Sequence, residues 1–214
     1  MKKPYFLRYG VGYLVAIVIV LLLWLDSAHC TDVTVFGHHW STIGKVHVHK
    51  HSVTFKVSKR EDDNYLTSKD LMGYGKYTMT FKVSLNKSGA VAAGYSYLPY
   101  SETEIDVEEQ GVKPGEVEFT NWVTPLMGTM CRAKFLAPTK LHTFSYVWTP
   151  RLVTYFVDGV KVCEAVTTVP AKEANFVFEF YSTDDASWGG KWVKAKRRMT
   201  VTDFKFEPWL WRQQ

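Results

Sequence analysis

Glu104-Ile105-Asp106-Val107-Glu108 alternates carboxylic acids with branched aliphatic residues. In an extended strand successive side chains point to opposite faces. Glu104, Asp106 and Glu108 therefore share one face, and Ile105 and Val107 enter a core on the other. Like charges in a row repel, and close carboxylates push one another's pKa values apart. By itself the spacing also fits a solvated sheet edge. The surroundings favour a cleft. Tyr95, Tyr97 and Tyr100 lie just upstream, Asn121 and Trp122 fall on the next β-branched run, and Trp188 and Trp192 sit in a Gly-rich loop. Aromatics beside acids suit a surface that stacks the apolar faces of pyranose rings and bonds their hydroxyls.

Outward from this strand the chain is a series of short alternating runs. They fall at Val46–His51, Ser52–Val57, Tyr77–Val83, Ala90–Tyr97, Val117–Val123, Cys131–Leu136, His142–Trp148, Val153–Val157, Val160–Val166, Phe176–Tyr181 and Met199–Phe206. Asp158-Gly159 between two such runs is a hairpin signal. No segment sustains a helical period. About a dozen short strands without a helix predict an all-β fold, an antiparallel two-sheet β-sandwich of the jelly-roll, concanavalin A-like kind.

The 214 residues read as one domain plus a leader. Lys2, Lys3 and Arg8 precede the apolar run Val11–Leu25, which ends in Ser27 and Ala28. This is the layout of a secretory signal peptide, or of an uncleaved signal anchor. Residues 1–30 are thus expected to be the leader and 31–214 the folded domain. The protein is expected to be secreted or periplasmic, with a membrane contact only through the leader. The formal charge of +5 is modest, and the basic cluster Lys191–Arg198 reads as a solvated face, so a nucleic-acid partner is not expected. Cys131 and Cys163 either pair in an oxidising compartment or remain buried thiols.

These segments together resemble glycoside hydrolase family 16. Glu104–Glu108 is similar to the family's active-site strand. Gly73-Tyr74-Gly75-Lys76-Tyr77 resembles its GYG stretch. His142-Thr143-Phe144, Trp148-Thr149-Pro150 and Tyr155-Phe156-Val157-Asp158-Gly159 resemble its later conserved segment, in the same order over about residues 40 to 206. The E-x-D-x-E form without an added residue is similar to the lichenase and xyloglucan-enzyme branch. The resemblance implies a retaining, endo-acting hydrolase of β-glucan-type polysaccharide. Glu104 would be the nucleophile, Asp106 would tune it, and Glu108 would be acid, then base. A transglycosylase on the same scaffold and a non-catalytic glycan-binding sandwich are the alternatives.

This chain departs from the family where Tyr100-Ser101-Glu102-Thr103 lacks the Trp that often precedes the nucleophile. Thr67 replaces an Arg, and Glu109-Gln110 replaces an aromatic-apolar pair. Substrate contacts are expected from Tyr95, Tyr97, Asn121, Trp122, Tyr181, Trp188 and Trp192. Tyr155, Phe156 and Trp148 are expected in the core. His47, His49 and His51 share a strand face but read as exposed. No catalytic metal and no cofactor are expected. The structural calcium that many family members hold rests largely on backbone oxygens, which leave no side-chain signature. A polysaccharide or oligosaccharide is the expected partner of a monomeric protein.

Overall fold

The computed structural model describes residues 30–84, 87–99, 103–123 and 126–209. Residues 1–29, which hold nearly all of the expected leader, and Tyr100 with the residues up to 102 therefore lie outside the described residues. Within them the fold is fifteen strands and no helix.

An eight-stranded sheet runs in the order β1 (Thr31–Val35), β2 (His38–Ile43), β5 (Tyr65–Met72), β14 (Ala174–Ser182), β7 (Ala90–Leu98), β8 (Thr103–Gln110), β9 (Glu116–Val123), β10 (Leu126–Lys134). A seven-stranded sheet runs β13 (Val160–Ala165), β12 (Val153–Val157), β11 (His142–Trp148), β6 (Gly75–Ser84), β15 (Arg197–Pro208), β4 (Ser52–Val57), β3 (Val46–His49). Neighbours are antiparallel throughout, as in a two-sheet sandwich.

Alternation builds the layer between the sheets. Tyr77, Met79, Phe81 and Val83 of β6 point inward and are fully or almost fully buried, as do Phe144, Tyr146 and Trp148 of β11. Ile105 and Val107 meet them from β8, and Phe176, Phe178 and Phe180 from β14. The rings of Phe119 and Tyr155 approach to 4.9 Å between centroids, and those of Tyr77 and Phe176 to 5.9 Å. Burying each such side chain contributes roughly 1.5–3 kcal/mol. The few polar groups in this layer are matched: Ser96 Oγ lies 2.5 Å from the Tyr146 hydroxyl, and Tyr155 donates to the Thr120 carbonyl at 2.9 Å. Gly94, opposite Val107, has no alternative here, because a Cβ would lie 2.5 Å from Met79 Sδ.

Asp158 and Gly159 both have positive φ, of 49° and 79°, and close the expected hairpin between β12 and β13. Phe156, read as core, lies half-buried on the outer face, because its neighbours Tyr155 and Val157 take the inner one. The cluster Lys191–Arg198 is only partly a solvated face. Arg197 is buried, with its guanidinium donating to the carbonyls of Ser88 and Val193 and stacked 4.6 Å over Trp192. β1, β2 and β5 carry weak alternation; Ser68 to Leu71 interrupts β5 beside a register shift in its pairing with β14. The exposed His47 and His49 lie on the edge strand β3, with His51 just beyond it.

Cys131 and Cys163 form a disulfide. It joins β10 and β13, the edge strands of opposite sheets, and so closes one side of the sandwich. Replacing both cysteines by serine should lower the unfolding free energy by about 3–4 kcal/mol, the loop-closure value for a sequence separation of 32 residues. Urea titration with and without reductant checks this; a midpoint that does not move would show that the bond adds nothing to the closure.

Candidate active site

The outer face of the eight-stranded sheet is assembled by register. β8 lies between β7 and β9. Glu104 is flanked by Tyr97 and Trp122, Asp106 by Tyr95 and Thr120, and Glu108 by Ala93 and Glu118. The next strands extend the rows: β14 sets Glu179 opposite Ala93 and Tyr181 opposite Val91, and β10 sets Arg132 opposite Glu118. Ile105 and Val107, fully buried, lock the acids onto this face through the other side of the strand.

Asp106 is the most enclosed of the three. The Thr120 hydroxyl donates to its Oδ2 at 2.6 Å, and the Trp122 indole also donates to it. Burial still dominates and, with the charge of Glu104, lifts its pKa well above the usual carboxylate range. Glu108 is raised well above its ordinary value by burial, then by the charges of Asp106, Glu118, Glu104 and Glu179. Burial raises Glu104 less, to about 7. The row therefore ionises unevenly: Glu104 gives up its proton most readily, and Asp106 and Glu108 hold theirs.

A fourth acid completes the face. Glu179 is raised to about 8, first by burial, and accepts a hydrogen bond from Tyr95 at 2.6 Å. Tyr65 and Asp63 bond beside it, with the Tyr65 hydroxyl donating to Asp63 at 2.5 Å. Glu118, Glu179, Arg132 and Thr120 join this face through strand pairing, and only the two acids carry a local signal in the sequence. Each acid is a charged residue on an alternating apolar run, in Val117-Glu118-Phe119 and in Phe178-Glu179-Phe180.

Tyr95, Tyr97, Trp122 and Tyr181 lie on this face. Tyr97 is the most exposed of the two β7 tyrosines and meets Tyr95 edge-on at 6.2 Å. Trp188 joins them through its indole N–H, which donates to the Tyr181 hydroxyl at 2.9 Å. Asn121 does not. It follows Thr120 in a strand, so it turns to the opposite side, opposite Ile105 and fully buried. There its amide donates to the carbonyls of Thr167 and Thr168 and accepts from the Thr129 N–H. It braces a loop and lies off the acidic face. Trp192 likewise packs against the hydrophobic core beneath Arg197, not into the cleft. Among the described residues no three His, Cys, Asp or Glu side chains converge to hold a metal ion.

A model of the glycosyl hydrolases family 16 matches residues 36–205. That span takes in both sheets except β1 and the end of β15, and it includes the acidic strand; the chain belongs to this family. A β-glucanase of Paenibacillus polymyxa is 28% identical over 153 residues, which cover 68% of this chain and 64% of that protein. The chain thus spans just under two thirds of that relative's length. A lichenase structure derived from a mouse hindgut metagenome shares the fold with a TM-score of 0.71 at 17% identity, over 77% of this chain and 84% of that one. The Crh5 transglycosylase shares it with a TM-score of 0.70 at 19% identity, over 79% and 78%.

Carboxyls with raised pKa values carry a stability signature. Between the ordinary value of 4.5 and about 7 for Glu104, or about 8 for Glu179, the folded state holds protons that the unfolded state has released. Stability therefore falls as pH rises through that window. The melting temperature should drop from pH 5 to pH 8, and Glu104→Gln should melt higher than wild type at pH 8 with little difference at pH 5. A melting temperature that climbs over that range would show that the acids are not desolvated as described.

Proposed function

We propose that this domain is a retaining endo-glycosidase that cleaves β-glucan-type polysaccharide by double displacement. The observation that carries the reading is the register that sets Glu104, Asp106 and Glu108 on one strand face between Tyr97, Tyr95, Thr120 and Trp122; burial raises Glu108 well above its ordinary value and Glu104 less, to about 7. A nucleophile and an acid are what such a reaction needs from two neighbouring carboxyls. Family membership supports the same reaction class.

In the first step the Glu104 carboxylate attacks the anomeric carbon while Glu108 gives its proton to the departing glycosidic oxygen. In the second, Glu108, now a carboxylate, takes a proton from water, which displaces Glu104 and restores both groups. Asp106, bonded by Thr120 and Trp122, holds a proton beside the nucleophile and tempers its basicity. Tyr97, Trp122, Tyr181 and Trp188 are proposed to stack and orient the sugars along the sheet. A purely glycan-binding face would gain aromatics from this arrangement, but it has no use for three mutually repelling, dehydrated acids.

Charge narrows the substrate class. The protein is basic overall, at +5, yet the reacting face gathers Glu104, Asp106, Glu108, Glu118 and Glu179, with Arg132 already paired to Glu118. A neutral glucan suits it: Arg132, which the register brings to this face, is already paired to Glu118 and offers sulfate or uronate groups no partner. The Cys131–Cys163 bond and the basic-apolar leader pattern together support export to an oxidising compartment.

Folded Glu104→Gln should lose several orders of magnitude in kcat on barley β-glucan. Glu108→Ala should still consume an aryl glycoside with a good leaving group, and azide should restore its turnover as the β-glycosyl azide. Carrageenan should be left intact by the wild type. Formation of the α-glycosyl azide, or undiminished kcat in Glu104→Gln, would rule out the assignment.

A further inference from the structure

Glu118 is 2% exposed, stands directly across from Glu108 and shares its sheet face. Arg132 reaches it from β10, with Nε and one terminal nitrogen each 2.5 Å from the same oxygen, Oε2. The other oxygen, Oε1, is buried without a hydrogen-bond partner among the described residues. A buried acceptor left unmatched is costly. Arg132 could satisfy both oxygens in the usual fork-to-fork manner. It instead grips one, and also lies 3.6 Å from Glu116.

We propose that Glu118, oriented by Arg132, is a positioning residue for Glu108: it keeps the catalytic proton on Glu108 and offers its free oxygen as the acceptor that fixes the acid's orientation. This rests on the acid/base role given to Glu108 above. The proton leaves Glu108 for the glycosidic oxygen and returns to Glu108 from water, so Glu118 contributes charge and direction and exchanges nothing.

Among the described residues, the other titratable groups that act on Glu108 are acids and a phenol: Asp106 and Glu104 share its strand, and Glu179 and Tyr181 come from β14. Asp106 and Glu118 are the two charges that raise Glu108 most, after burial. Asp106 is occupied by Thr120 and Trp122. Glu118 alone among these carboxyls is tied to a guanidinium, and that tie makes its influence adjustable: Arg132 partly offsets the charge that Glu108 feels.

The two partners therefore act in opposite directions on one observable. Hydrolysis requires protonated Glu108, so kcat/KM falls as pH rises through its pKa. Glu118→Gln removes a like charge and should move that falling limb down by about one pH unit. Arg132→Gln leaves the charge of Glu118 uncompensated and should move the limb up. The double variant should behave as Glu118→Gln does. A purely structural role for the pair would lower kcat/KM or melting temperature and leave the limb in place in both single variants, which would overturn the inference. Arg132 is partly exposed, so its variant carries the test even if Glu118→Gln does not fold: an unmoved limb there overturns the proposal alone. Glu108→Gln runs beside them. If it keeps wild-type activity and the falling limb, the acid/base assignment fails and the inference fails with it, an outcome distinct from an unmoved limb in an enzyme that depends on Glu108.

Discussion

Three carboxyl groups on one face of β8 stand above a packed aromatic layer and lose much of the water that an exposed carboxylate keeps. Burial is the largest influence on Glu104, Asp106 and Glu108 alike, ahead of any neighbouring charge. A charged carboxyl in such surroundings is costly, so the groups keep protons well above the pH at which free acids release them. Their differences in burial then separate them. Glu104, lifted to about 7, is the acid that can serve as a carboxylate near neutrality, whereas Glu108 is raised well above its ordinary value. The chemistry attributed to this face follows from that separation.

The rest of the sandwich serves to keep the acids there. A strand with acids on one side is held only if its other side is anchored, and Ile105 and Val107 are fully buried between the sheets. β7 and β9 fix the strand laterally through an unbroken register, which brings Tyr95 and Thr120 to Asp106 and Ala93 and Glu118 to Glu108. A slip of one residue would turn every acid into the core. The stacked rings beneath, and the disulfide between edge strands of opposite sheets, oppose such slips. Stability is given up locally for this, since the desolvated acids weaken the fold as pH rises.

Much of this was legible in the chain, and the reasons are particular. The acid-aliphatic alternation of Glu104–Glu108 defines strand, face and core contact together, because period 2 is the property that a sheet imposes. Asp158-Gly159 announced its hairpin because both positions need positive φ. Asn121 follows the expectation for its neighbour Trp122 in sequence but not in space, because adjacent strand residues cannot share a face. Trp192 is ambiguous in sequence, because composition cannot tell a loop tryptophan that stacks sugar from one that lies under an arginine. Glu118 and Glu179 escaped notice for a different reason. Their importance lies in which residues stand across from them, and strand order in the sheet is not written locally: β14 reaches β7 from about eighty residues away. The polar, interrupted β5 was silent because the stagger at Ser68 to Leu71 breaks the alternation on which its detection depends.

The central claim is that Glu104 forms a covalent bond to the sugar. An activated 2-deoxy-2-fluoro β-gluco-oligosaccharide tests it directly, because the fluorine slows release of the glycosyl-enzyme more than its formation when the leaving group is good. After incubation, proteolysis and mass spectrometry should find one glycosyl ester, on Glu104, with time-dependent loss of activity that an acceptor sugar slowly reverses. An ester on Glu108, Glu118 or Glu179, or full activity with no ester on any carboxyl, would contradict the account.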